Sequence, residues 1–188
     1  MGTLFVDKLD PQSGTSLEIG SSGDTITIPS GCTITNSGTS SGFGISSANT
    51  PMFFAIRTSN QSLSHDTHTK IQFNSEIVDT NSAYDNSSNY RFTVPSGQAG
   101  KYYIFCGLRW SDSSANLATT IYLNGSAKAV AGMKPNSGEL QTLCMQTILD
   151  LSVSDYVEIY GRFQSSGTLN VFGGSQHDTF FGGYKLTW

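Results

Sequence analysis

Charge is what this sequence has least of. Charged residues make up 13% of it, against roughly a quarter in an average soluble domain. The net charge of −4 is carried by scattered single residues, so no basic patch offers a nucleic acid its phosphate contacts. No run approaches the ~20 apolar residues of a membrane-spanning helix, which excludes a membrane partner of that kind. The opening "MGTLFVDKLDPQ" has no cationic segment leading into an apolar stretch, so a secretory signal is not expected. Catalytic motifs are missing as well: no Gly-x-Ser-x-Gly, no His-Glu-x-x-His, no glycine-rich phosphate loop. Hydrolysis needs a nucleophile with its base, or two carboxylates flanking the scissile bond. The 14 acidic residues are scattered along the chain, and no enzyme activity is expected.

Cysteine is scarce and unpaired in pattern. Cys32, Cys106 and Cys144 are far apart, form no Cys-x-x-Cys motif and have no histidine at zinc-finger spacing. Cys106, in "YYIFCGLRW", and Cys144, in "LCMQTIL", read as small buried hydrophobes. The alternative, a Cys106–Cys144 disulfide, requires those two strands to be neighbours.

What fills the chain instead is Ser, Thr, Asn and Gly, and their arrangement changes near residue 50. Residues 15–50 mix short alternating strings, Leu17/Ile19, Ile26/Ile28 and Ile34, with Gly-Ser turns. Alternation predicts strands, with an apolar face only two or three residues long. One such strip cannot offset the entropy of ordering it; three copies around a shared axis can. An intertwined β stalk is therefore expected over 15–35, and a Ser/Gly linker over 36–49.

From residue 51 to 188 the pattern is strand after strand. "PMFFAIRTS", "GKYYIFCGLRWS", "ATTIYLNGSAKAV", "LQTLCMQTILDLS", "DYVEIYGRFQ" and "TFFGGYKLTW" are rich in β-branched and aromatic residues and bounded by turn formers. Asn124-Gly125 has the residue types of a type I′ hairpin turn. No segment keeps a helical period. Eight or nine such strands predict an all-β, two-sheet sandwich or jelly roll.

Polar clusters are few. "SHDTHT" places His65, Asp66 and His68 together, but on a strand only Asp66 and His68 share a face, and two ligands do not close a metal site. A solvated loop is expected there. Asp79, Asp85 and Asp112 lie in Ser/Asn-rich loops with many oxygen donors but no spaced calcium-ligand set. No cofactor is expected. Tyr84 and Trp110, in or near such loops, are candidate stacking platforms for a host surface glycan.

Three landmarks make the 51–188 half resemble the globular head of complement C1q and its tumour-necrosis-factor-like relatives. In "FTVPSGQAGKYYIF", Phe92, Pro95, Gly100 and Tyr102 match, with Ile104 where a Phe is usual. In "LSVSDYV", Leu151, Asp155 and Val157 match, while Ser154 replaces the usual Gly. In the closing run, Thr179, Phe180, Gly182, Tyr184 and Leu186 match. The resemblance implies a ten-stranded jelly roll forming a homotrimer, with the last strand near the threefold axis. It also implies loop-bound calcium in some members, without a motif for it here. Alternation puts Phe180, Tyr184 and Leu186 on one face, assigned to the subunit core, and Phe181 on the other, assigned to a trimer contact.

The N-terminus carries a second resemblance. In "TLFVDKLDPQSGTSLEIG", Thr3, Leu4, Val6, Asp7, Leu9, Ser13, Gly14 and Thr15 are similar to the opening of many bacteriophage tail-fibre and minor virion proteins. It implies a docking segment over 1–14, in which Leu4, Phe5, Val6 and Leu9 contact another virion protein. The function expected is a non-enzymatic trimeric virion component: a short tail fibre, spike knob or capsid head fibre displaying an adhesive knob. A secreted or surface C1q-like binding module is the alternative, and a polysaccharide-cutting tail spike the third reading.

Overall fold

A computed structural model describes residues 9–11, 13–35, 37–38, 49–111, 115–135 and 140–186. The chain divides into two units, Met1–Ile45 and Ser46–Trp188. Among the described residues of the first unit there is no strand. Tight turns mark it instead: Ser21 N–H donates to Asp24 Oδ2 at 2.7 Å, and Cys32 N–H to Pro29 O at 3.2 Å. Leu17, Ile19, Ile26, Ile28 and Ile34 are 46–62% exposed. The β stalk expected over 15–35 is thus not formed by a single chain. Its apolar strips are too short to find a partner strand within the same molecule.

The second unit is all β. Its strands are β1 (Met52–Ile56), β2 (Gln61–Ser64), β3 (Thr69–Lys70), β4 (Ser75–Asp79), β5 (Tyr84–Asp85), β6 (Arg91–Thr93) and β7 (Gly100–Trp110). They continue as β8 (Asn116–Leu123), β9 (Ser126–Met133), β10 (Gln141–Leu151), β11 (Tyr156–Gln164), β12 (Thr168–Val171) and β13 (Phe180–Lys185). The larger sheet has the order β2-β12-β7-β13-β1-β4, with β10 also paired to β7; the smaller has β5-β6-β11-β8-β9, with β3 on β11. All pairings are antiparallel. Two-residue strands such as β3 and β5 raise the strand number above ten, because the polar loops around them touch the sheet only briefly.

Strand alternation builds the core. Along β7, Tyr102, Ile104, Cys106, Leu108 and Trp110 point inward and are 0–1% exposed. Along β11, Val157, Ile159 and Phe163 do the same from the opposite sheet. Phe53 stacks on Phe92 at 4.6 Å between centroids and meets Phe181 edge-on at 4.8 Å. Each such buried aromatic contributes about 2–3 kcal/mol of transfer free energy. The family landmarks are largely this core: Phe92, Tyr102, Ile104, Leu151 and Val157 are all buried. Pro95 starts the turn in which Gln98 N–H donates to Pro95 O, and the Tyr102 hydroxyl donates to Gln98 O at 2.6 Å. Asp155 accepts from Asn124 Nδ2 and Ser152 N, locking the β10–β11 turn to the β8–β9 hairpin. Asn124 and Gly125 both have positive φ (51° and 75°), as a type I′ turn requires.

β13 inverts the expected facing. It runs between β1 and β7, with Phe181 in register with Ala55 and Cys106, both inward. Phe181 is therefore a core residue, fully buried, and not a subunit contact. Phe180 and Tyr184 face out of the sandwich and stay half-buried, as does Leu186 just beyond the strand. Alternation says which residues share a face; it does not say which face is inside.

Candidate functional site: an aromatic face on the larger sheet

The outward face of the larger sheet collects five rings from three adjacent strands. Phe54 comes from β1, Tyr103 and Phe105 from β7, and Phe180 and Tyr184 from β13. Their centroids form a continuous chain: Tyr184–Tyr103 5.5 Å, Tyr103–Phe105 5.9 Å, Phe105–Phe54 6.1 Å and Phe54–Phe180 6.0 Å. Glycines make room for the rings to lie against the sheet. A Cβ on Gly182 would sit 2.4 Å from the Phe105 ring, and one on Gly107 2.6 Å from the Phe180 ring. Around the rings, Met52 (38% exposed) stands opposite Tyr184, and Ile148 (58% exposed) opposite Tyr103. A shallow groove of about 340 Å³ opens between β7 and β10, lined by Tyr103, Phe105, Cys144, Gln146 and Phe180. An apolar surface that is exposed and contiguous is a candidate contact with another macromolecule.

Sequence reading missed Phe54, Tyr103 and Phe105. The signal was present: "FFAI" and "YYIFCGLRW" carry aromatics on both parities, so both faces of those strands are apolar.

The proposed stacking platforms are elsewhere. Trp110 is fully buried and Tyr84 is 5% exposed; neither meets a glycan. The Tyr84 hydroxyl donates to Phe73 O at 3.1 Å, and burial raises its pKa well above the phenolic range. Both residues lie on strands with inward facing, not on the loops beside them.

His65, Asp66 and His68 form the turn after β2. Asp66 Oδ1 accepts from Arg162 and from Gln164 Nε2 at 3.0 Å, and the Arg162 hydrogen bond holds its carboxyl below the usual range. His65 Nδ1 accepts from Ser165 N–H at 3.2 Å, and His68 Nδ1 lies 3.5 Å from the Tyr122 hydroxyl. The three side chains are engaged separately, and among the described residues no three metal-ligating side chains gather. Asp79 accepts from the N–H groups of Asn81, Ala83 and Tyr84. Asp85 accepts from those of Ser87, Ser88 and Asn89, which depress its pKa strongly, Ser88 most. Both carboxylates shape their own loop. Asp112, and the docking residues Leu4, Phe5 and Val6, lie outside the described residues; Leu9 is 53% exposed.

All three cysteines are free. Cys106 is buried, and burial with the nearby Cys144 pushes its thiol up to about 12. Cys144 is exposed, a correction to the buried reading. The two strands are neighbours, but Cys106 is in register with Met145 and Cys144 with Gly107, so the thiols point to opposite faces and do not bridge.

The model of the C1q domain family matches residues 52–186. Solved structures similar to this chain include Eiger TNF from S. frugiperda, at 12% identity and a TM-score of 0.57, covering 72% of this chain and 92% of that one. The globular domain of zebrafish complement 1qA matches at 14% identity and a TM-score of 0.54, covering 73% and 98%. Murine APRIL matches at 14% identity and a TM-score of 0.56, covering 72% and 98%. At these identities the structural likeness is one of fold. No curated protein matches the sequence significantly.

Proposed function

The chain belongs to the C1q domain family, and from that premise we propose that it is a non-enzymatic binding head that assembles as a homotrimer through the aromatic face of its larger sheet. The observation that carries this is the five-ring cluster of Phe54, Tyr103, Phe105, Phe180 and Tyr184, flanked by exposed Met52 and Ile148. A closed threefold arrangement gives every copy the same cover for this surface and leaves none unsatisfied. Three copies also bring three sets of Leu17, Ile19, Ile26, Ile28 and Ile34 together, the strips that are exposed in one chain.

The Thr3–Thr15 motif supports display of this head on a bacteriophage virion, with Leu4, Phe5, Val6 and Leu9 as the contact to another virion protein. The family match supports a secreted or surface binding module equally. Mass spectrometry of purified particles against the soluble secreted fraction separates the two.

Light scattering of the full chain at micromolar concentration tests the assembly. The expected mass is three times 20.2 kDa. Tyr103→Asp, which places a carboxylate among the rings, is expected to shift it to one. A wild-type protein of single-chain mass overturns the proposal.

A further inference from the structure

The smaller sheet has an outward face of different character, which the sequence reading did not single out. On β11, Tyr156, Glu158, Tyr160 and Arg162 point away from the core; on β8, Ala118, Thr120 and Tyr122 do, paired Arg162↔Ala118, Tyr160↔Thr120 and Glu158↔Tyr122. The Tyr122 and Tyr160 rings are 4.2 Å apart between centroids and inclined at 38°. They are held from several sides. Tyr160 stands one same-face step along β11 from Glu158, which is 4% exposed and paired with Lys70 Nζ at 2.6 Å. The Tyr122 hydroxyl lies 3.5 Å from His68 Nδ1. Tyr156 carries the Arg91 guanidinium 4.2 Å over its ring.

One same-face step along the strands, about 7 Å at ~3.4 Å per residue, a groove of about 300 Å³ opens on this face. Asn116, Ala118, Lys134, Arg162 and Gln164 line it. Asp66 takes Nε and Nη2 of Arg162 and so fixes the plane of the guanidinium. Among the described residues Lys70, Arg91, Lys134 and Arg162 meet three carboxylates here, Glu158, Asp66 and Asp85, the last opposite Arg91 in the β5–β6 pairing. On a chain of net charge −4 this is a local surplus of cations. Fixed aromatic rings next to hydrogen-bond donors and a cationic groove lose little entropy on binding.

Resting on the binding-head reading, we infer that this face binds an acidic oligosaccharide. A pyranose ring packs on Tyr122 and Tyr160, its hydroxyls meet Lys70, and the carboxylate or sulfate of a neighbouring unit enters the groove beside Lys134 and Arg162. Neutral glycans use only the first half of the site. Because the face lies on the opposite sheet from the aromatic cluster, assembly through that cluster leaves it open.

Calorimetric titration of the full chain tests this with three hexasaccharides: α-1,4-linked galacturonate, a heparin-derived fragment and neutral maltohexaose. One or both acidic probes are expected to bind; galacturonate binding shows that a carboxylate suffices, and binding of the heparin fragment alone shows that the groove needs a sulfate. Maltohexaose, Tyr122→Ala with the better probe, and Lys134→Gln with the same probe are each expected to bind about tenfold more weakly, a 1.4 kcal/mol loss. Lys101→Gln, which removes a cation from the other sheet, is expected to leave affinity unchanged. Tyr122→Ala and Lys134→Gln are checked for an unchanged trimer mass, so that a failure of this site is distinct from a failure of assembly. No binding of either acidic probe, equal binding of the neutral one, or variants indistinguishable from Lys101→Gln overturns the inference.

Discussion

Ser154 shows how one residue carries information the pattern conceals. It stands where the resemblance read from the sequence expects Gly, and its φ is 71°, in the left-handed region that favours Gly. The backbone is held there because Ser154 N–H donates to Val94 O at 3.0 Å. A side chain in this conformation costs roughly 1–2 kcal/mol, while Gly adds back roughly 0.5–1 kcal/mol of unfolded-state entropy. Ser154→Gly is therefore expected to stabilise the fold by up to about 1 kcal/mol, raising Tm by about 2–4 °C. A melting curve that stays put or moves down refutes the strain. Ionisable residues give a second test. Asp85, bound by the N–H groups of Ser88, Ser87 and Asn89, Asp155, bound by Asn124 and Ser152, and Asp66, bound by Arg162, all have lowered pKa values. A lowered folded pKa contributes stability that is complete above the unfolded value of about 3.9 and is lost as pH falls through the folded one. Tm should hold between neutrality and about pH 5 and drop below about pH 4. Asp85→Asn should lower Tm at neutral pH and make the acid drop shallower.

At the scale of elements, the sequence disclosed type and order better than facing. The alternation in "GKYYIFCGLRW" and "DYVEIYGRFQ" marks β7 and β11, and Asn124-Gly125 marks the hairpin between β8 and β9, because each depends only on local spacing and turn chemistry. The facing of β13 depended on its neighbours: Phe181 packs inward because Cys106 and Ala55, opposite it, do. The "TFFGGY" run has aromatics on both parities, so its own pattern could not choose. Tyr84 and Trp110 failed because the Ser/Asn-rich segments beside them were read as their setting, whereas each lies on a strand, β5 and β7, and faces inward. The glycines between these rings give the element-scale prediction. At Gly182 a Cβ meets only ring atoms, of Phe105 at 2.4 Å and Phe54 at 3.0 Å, whereas at Gly173 it meets the Ser59 backbone at 2.3 Å. Rings can shift and a neighbouring backbone cannot do so cheaply. Gly182→Ala should cost about 1–3 kcal/mol, and Gly173→Ala more, read as the larger loss of Tm; the reverse order would mean the aromatic face is the more rigid of the two.

Across the whole molecule the aromatic face and the thiols make a joint prediction. Cys32 lies in the N-terminal unit, Cys106 in the core and Cys144 on the aromatic face, each in a different environment. In an isolated chain, Cys32 and Cys144 are accessible while Cys106 is buried and holds its proton to about 12. On the proposed assembly through the five rings, the groove that Cys144 lines with Tyr103, Phe105 and Phe180 is covered. A neutral thiol reagent should therefore label one cysteine fast in the native trimer, Cys32, identified by peptide mapping. Diluting below the dissociation range, or substituting Tyr103→Asp, should make Cys144 the second fast site, and denaturation should release Cys106 as the third. The order matters more than the count, because it reads burial by partner chains separately from burial by the fold. If Cys144 reacts as fast in a particle of three-chain mass as in the dissociated chain, the trimer exists but uses another surface, and the five rings await a different partner.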